Sequence, residues 1–248
     1  MIPGIIALIV GHFLGSAINP VFIKLAVRDI PPFMFTALRF ITAAIVFYPM
    51  YRMVSKHKLS RSHKVQLVKY TLLHSANTLF YVIGIEHTTA IMSMIFYAMT
   101  PIVVGLLSHF FSHEKLTRHE VTGTAIAILG VAFLFLKSYD PGQINTFGTP
   151  FGNLMIFMAA VSLGFYYFFC RKLSKFYDPM TLSLTSYFLT GTLSVLLIPA
   201  EIGLLHRVPH FTLTSVLFVI LVGTLGTALM MYLAQYGIKH TNAFIGSV

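Results

Sequence analysis

Residues 213–236, LTSVLFVILVGTLGTALMMYLAQY, run without one charged side chain. A helix of that length crosses the hydrocarbon of a bilayer, which takes roughly 20 apolar residues. The run lacks the apolar–polar alternation of a barrel strand, and in lipid a helix satisfies its own backbone N–H and C=O groups. Comparable runs predict spans at 2–25, 32–51, 67–85, 89–111, 121–136, 150–169 and 179–200. They produce a hydrophobic content of 56 % against 10 % charged and a mean hydropathy of +0.81, more apolar surface than one soluble core can bury. The expected fold class is an all-α integral membrane protein.

The excess of 17 Lys and Arg over 7 Asp and Glu lies between the runs, so it reads as a topology signal rather than a nucleic-acid surface. One set of alternate loops holds Arg52, Lys56, Lys58, Arg61, Lys64, Lys69, Lys115, Arg118, Arg171, Lys172, Lys175 and Lys239; the other holds only Lys24, Arg28, Lys137 and Arg207. The bias places the N-terminus on the cytoplasmic side of a cell (inner) membrane crossed many times. Cys170 is the single cysteine, which excludes an intrachain disulfide. Residues 2–10 lack a basic leader and a small-residue cleavage site, so they are expected to open an uncleaved first span.

An internal repeat organises the spans. Gly84-Ile85-Glu86-His87-Thr88-Thr89-Ala90 returns as Gly237-Ile238-Lys239-His240-Thr241-Asn242-Ala243. At a slightly different offset, Lys24, Leu25, Pro31, Phe40 and Thr42 fall on Lys172, Leu173, Pro179, Phe188 and Thr190. The units are 1–138 and 150–248. Five spans per unit is an odd number, so successive copies enter the membrane in opposite senses, an arrangement of many secondary transporters. The sequence ends inside an apolar run, Phe244 to Val248, so the expectation is about eight spans plus the start of a ninth, with the second unit truncated.

Gly15-Ser16 with Lys24, Arg39-Phe40, Thr88 to Ala90, Thr100-Pro101, Glu114-Lys115-Leu116 ahead of Gly123 and Gly130, and Lys239 to Ala243 recur in an order and spacing that resemble the EamA-type family of the drug/metabolite transporter superfamily. The resemblance covers essentially the whole chain and implies two inverted five-helix repeats around a central cavity, which the family's ninth helix helps to wall. Leu14 departs from the pattern, since the family often carries Trp there.

An ionisable side chain inside a span is costly, so Arg39 is the first candidate for substrate binding, either as counter-charge to an anionic solute or as a partner of Glu86. His74, Asn77 and Tyr81 follow an i, i+3, i+7 spacing, and Ser93, Tyr97 and Thr100 an i, i+4, i+7 spacing, so each set shares a helix face. With His12 and Asn19 they lie in the spans that the resemblance places around the cavity. Tyr166, Tyr232 and Gln235 are the second-half candidates, and of the adjacent Tyr166 and Tyr167 only one is expected to face inward. Pro20 and Pro101 interrupt their helices and are candidate hinges. Gly11 with Gly15, Gly123 with Ala127, and Gly223 with Thr227 are small pairs expected at helix contacts. His109, His113, Glu114, His119 and Glu120 lack metalloprotease spacing, and no metal or cofactor is expected.

The sequence has no Gly-x-x-x-x-Gly-Lys loop and no Gly-x-Ser-x-Gly elbow, so neither ATP hydrolysis nor membrane-embedded hydrolysis is expected. The expected function is secondary transport of an amino-acid-like or other zwitterionic or anionic metabolite by alternating access. The alternatives are a non-transporting scaffold or assembly subunit and a drug or amine exporter of the same superfamily. Expected partners are a small solute and the lipid bilayer, not nucleic acid, with homodimer formation left open.

Overall fold

A computed structural model describes residues 2–54, 61–112 and 118–241. Among these residues the secondary structure is entirely helical. The helices of eight residues or more are α1 (Ile2–Ala26), α2 (Pro32–Val54), α3 (Arg61–His87), α4 (Ala90–Tyr97), α5 (Thr100–Ser112), α6 (Arg118–Lys137), α7 (Pro150–Leu173), α8 (Pro179–Gly203) and α9 (Leu213–His240), with short helical turns at Pro141–Gln143 and Ile144–Phe147 ahead of α7. Their starts follow from side chains that satisfy the first free N–H groups. Thr89 Oγ1 accepts from Met92 N at 3.1 Å, Thr149 Oγ1 from Gly152 N at 3.1 Å, and Asp178 Oδ1 from Thr181 N at 2.9 Å. Thr212 and Ser215 form a reciprocal capping box at the start of α9. Pro150 and Pro179 sit at first positions, where the missing N–H costs nothing.

Six helical segments are long and apolar enough to cross a membrane: Ile2–Ala26, Pro32–Met53, Ala90–Ser112, Pro141–Leu173, Pro179–Gly203 and Leu213–His240. Two further expected spans stand apart from these. α3 is 27 residues long but carries Arg61, Lys64 and Lys69 near its start, whereas the apolar part of α6, Val121–Lys137, is short. The expected start of a ninth span, with Asn242 and Ala243, lies outside the described residues, as do Glu114, Lys115 and Leu116.

The helices pair closely. α3 runs along α7, α9 along α1, and α2 against both α8 and α9. A Cβ on Gly84 would lie 2.9 Å from the Gly152 carbonyl oxygen and from Ile156 side-chain atoms, and one on Gly237 would overlap Leu8 and lie 3.1 Å from the Gly4 carbonyl oxygen. Thr149 N and Oγ1 both donate to His87 O at 2.9 Å, which ties the end of α3 to the start of α7. Gly11 and Gly15 pack on Leu233 and Met230 of α9 as expected, and Gly223 packs on Thr42. Gly123 departs from expectation, for no neighbour lies near it among the described residues, and its helix is largely exposed, Ile126 at 71 %.

Two helices depart from the α pattern. α1 is π-helical over Phe13–Ile18 and α9 over Val222–Leu229. Pro20 has no N–H to offer the carbonyl four residues back, and the wider turn begins just ahead of it. The predicted fourth span is interrupted for two residues: α4 ends at Tyr97, α5 begins at Thr100, and Pro101 withholds a donor from the Tyr97 carbonyl.

Candidate functional site

Arg39 stands seven residues into α2, about 10 Å from the helix start by the rise per residue. It is 6 % exposed, and its guanidinium carbon lies 5.0 Å from the Phe40 ring centroid and 5.7 Å from that of Phe35. Its Nε is buried without a hydrogen-bond partner, and among the described residues no carboxylate pairs with it. Glu86, the partner the sequence offers, is taken: Arg207 Nη1 donates to Glu86 Oε1 at 2.5 Å, and His87 lies 3.7 Å from the other oxygen. A buried cation without counter-charge is unusual, because burial penalises it heavily unless something compensates.

Arg39 lines a cavity of about 100 Å³ together with Asn19, Phe40, His74, Asn77, Tyr81, Ser93, Tyr97, Tyr166, Tyr167, Thr227 and Gln235, with Met94, Met230 and Met231 among the apolar walls. One water needs on the order of 10–15 Å³ of such space, so the chamber holds several waters or one small solute. A second cavity of about 390 Å³ continues from it past the break between α4 and α5, lined by Gly11, His12, Ala98, Thr100 and Pro101, and shares Gly15, Tyr97, Tyr167, Met230 and Ala234 with the first. Non-helical backbone at membrane depth is tolerated where it lines such a space.

The candidates divide by what their polar atoms already do. Asn77 Nδ2 donates to Tyr97 Oη at 2.6 Å and to Ala159 O at 2.9 Å, so it positions Tyr97 and ties α3 to α7. Gln235 Nε2 donates to Tyr166 Oη while its Oε1 accepts from Cys170 Sγ at 2.6 Å. Ser93 Oγ bonds back to Ala90 O at 2.7 Å. In contrast, His74 has both ring nitrogens buried and unbonded, and Asn19 Oδ1, Thr100 Oγ1 and Thr227 Oγ1 are likewise buried without partners. Most buried polar groups are hydrogen-bonded, so this set marks where a ligand finds unused bonding capacity.

Asn19, the residue that follows the π stretch of α1, donates from Nδ2 to Gly226 O at 2.6 Å in the π stretch of α9 at the cavity wall. π turns are often found at functional sites. Tyr232 departs from expectation. It packs on Phe47 and Tyr236 outside the cavity, because the inward face of α9 at this level runs through Met231, Ala234, Gln235 and Ile238. Tyr166 and Tyr167 both line the chamber, although only one of them was expected to. Thr227 and Tyr167 are thus additions. The sequence marks Thr227 only as a small residue for helix packing.

His113 and Glu114 lie outside the described residues, and among the described residues no three His, Cys, Asp or Glu side chains gather as a metal site.

At the end of the bundle where α1, α3 and α8 finish, the loop 204–212 crosses to the first half of the chain. Besides the Arg207–Glu86 pair, His210 N donates to Asp29 O at 2.8 Å and Thr212 Oγ1 to Asp29 Oδ2 at 3.1 Å. The Glu201 carboxylate accepts from Phe33 N and Met34 N at 3.0 and 3.1 Å, capping α2 from α8. Lys24 Nζ donates to Ile85 O and Glu86 O at 2.7 and 2.8 Å.

A solved crystal structure with 18 % sequence identity superposes at a TM-score of 0.66 over 99 % of this chain and 82 % of that one, so the fold is shared. Uncharacterized transporter YetK of Bacillus subtilis is 28 % identical over 64 % of this chain and 49 % of its own length. Uncharacterized transporter YoaV of the same species is 26 % identical over 62 % of this chain and 53 % of its own. An uncharacterized transporter of Archaeoglobus fulgidus is 25 % identical over 65 % and 55 %. The chain spans about half the length of the curated relatives it matches. The family model described as the EamA-like transporter family matches residues 3–136 and 150–248, and the chain belongs to that family.

Proposed function

We propose that the protein is a secondary transporter of a small carboxylate-bearing metabolite, an amino acid or a related zwitterionic or anionic solute, moved by alternating access. The observation that carries this is Arg39, a buried guanidinium lining the chamber with no carboxylate against it among the described residues. Its planar fork suits a carboxylate, and the bound anion supplies the missing counter-charge. Among the described residues lining the chamber none is acidic, which favours an anionic group over the cation of an amine exporter.

Two inverted repeats, 1–138 and 150–248, with spans one to five and six onward, fit the contacts described above. The contact of Gly84 with Gly152 and Ile156 has its counterpart in that of Gly237 with Gly4 and Leu8, at the same two offsets that relate the repeated sequence segments. Rocking of one unit against the other around the shared chamber is then the transport movement. The loop-charge bias supports a cell (inner) membrane location with a cytoplasmic N-terminus, which puts the Arg207–Glu86 pair on the outer face. Uptake by proteoliposomes of labelled amino acids, monocarboxylates and organic amines tests the proposal. Movement of carboxylates alone is expected; preference for amines contradicts it.

A further inference from the structure

His74 has no structural duty that its polar atoms reveal. Its ring packs against Tyr166 with centroids 5.0 Å apart and edge-on to Phe40 at 6.2 Å, while both nitrogens are buried and bond nothing. A histidine kept only for packing leaves two polar atoms unpaid in the core, where an apolar ring serves better. Arg39 reaches the same Phe40 ring at 5.0 Å, so guanidinium and imidazole cannot be further apart than the two distances together.

The charged and titratable groups around the imidazole are few. α2 contributes Arg39, α4 Tyr97, α7 Tyr166, Tyr167 and Cys170, α8 Tyr187, and α3 itself Tyr81. From α1, Lys24 is fixed on the carbonyls of Ile85 and Glu86 at the far end of α3, and His12 lines the adjoining cavity. No carboxylate faces His74 among the described residues. A proton on His74 therefore meets a like charge on Arg39 and, among the described residues, nothing to balance either, at buried positions where such charges are poorly screened.

Resting on the carboxylate reading of Arg39, we propose that His74 is the proton-binding site of the transporter, filled when a substrate carboxylate seats at Arg39, so that carboxylate and proton cross together. The carboxylate balances one positive charge and the imidazole, ordinarily titrating near neutral pH, takes the other. One proton leaves water for a free ring nitrogen as the solute binds and returns to water as it leaves on the opposite side. No other bond changes.

The test uses proteoliposomes holding a trapped pH dye, with L-phenylalanine and 3-phenylpropanoate as probes. Wild-type protein is expected to acidify the lumen with uptake, at one proton per carboxylate, and a gradient of one pH unit to drive about tenfold accumulation. His74→Gln, its folding attested by monodisperse elution and a wild-type-like melting temperature in detergent, is expected to lose both the dye signal and the response to the gradient in whatever exchange of labelled for unlabelled probe it retains. Proton-coupled uptake by His74→Gln, or probe movement without protons by wild type, overturns the proposal. If His74→Gln does not fold, the wild-type proton-to-probe ratio alone decides, one supporting and zero overturning. Arg39→Gln separates the two claims: undiminished probe exchange by that variant refutes the carboxylate reading whatever His74 does. If folded wild type moves neither probe, both fall.

Discussion

The Asn19 amide nitrogen donates to the Gly226 carbonyl oxygen at 2.6 Å, so the residue that closes the π-helical stretch of α1 is hydrogen-bonded to the π-helical stretch of α9 beside the cavity. A Cβ placed on Gly226 would overlap the Asn19 side-chain oxygen, with the other close atoms also belonging to Asn19. Gly226→Ala is therefore expected to lower the melting temperature in detergent and to cut transport severely. Asn19→Ala alone loses one interhelical hydrogen bond, about 0.6 kcal/mol on average in membranes. Because it also removes the obstructing atoms, the double variant is expected to be more stable than Gly226→Ala alone. Simple addition of the two losses in thermal-melt data would contradict this contact.

Gln235 and Tyr232 lie three residues apart on α9 and are expected to behave oppositely. Gln235→Leu strips partners from Tyr166 Oη and Cys170 Sγ, both buried, and is expected to cost about 1–3 kcal/mol in stability while loosening a cavity wall. Tyr232 packs on Phe47 and Tyr236 outside the chamber lining, so Tyr232→Phe is expected to leave uptake unchanged. Paired melting curves and uptake rates check both.

Much of the fold is legible in the sequence. The apolar runs locate the helices, and the spacing of His74, Asn77 and Tyr81 puts three residues on the face that lines the chamber. The π stretches are not legible, because one extra residue in a turn leaves no periodic trace. Tyr166 and Tyr167 show the related difficulty: neighbours on a helix differ by about 100° in direction, yet a chamber that wraps around α7 meets both. Nor does spacing reveal which polar atoms are already spent. Asn77 and Gln235 look like Asn19 in sequence, and only their partners show that they hold other residues in place while Asn19 Oδ1, His74 and Arg39 remain open.

In the proposed alternating access the Arg207–Glu86 pair takes a latch role, since it fastens the loop after α8 to the end of α3. Both side chains are partly exposed, so the pair contributes on the order of 1 kcal/mol or less. In a Cys170→Ser background with Ser93→Cys as reporter, Glu86→Gln or Arg207→Gln is expected to speed labelling by a membrane-impermeant thiol reagent from outside a few-fold. The charge exchange Glu86→Arg with Arg207→Glu is expected to restore the slow rate. Equal labelling in all four proteins would remove the latch from the account.

The most direct test of the account is carboxylate binding and uptake by wild type, Arg39→Lys and Arg39→Gln, each shown monodisperse in detergent, with the amine lacking the carboxylate as control. A charge-assisted hydrogen bond contributes about 1.5–3 kcal/mol, so Arg39→Gln is expected to weaken carboxylate binding roughly 10- to 100-fold, Arg39→Lys to retain part of it, and the amine to bind none of the three. Unchanged carboxylate binding by folded Arg39→Gln, or an amine carried as well as its acid, would contradict the central role given to Arg39.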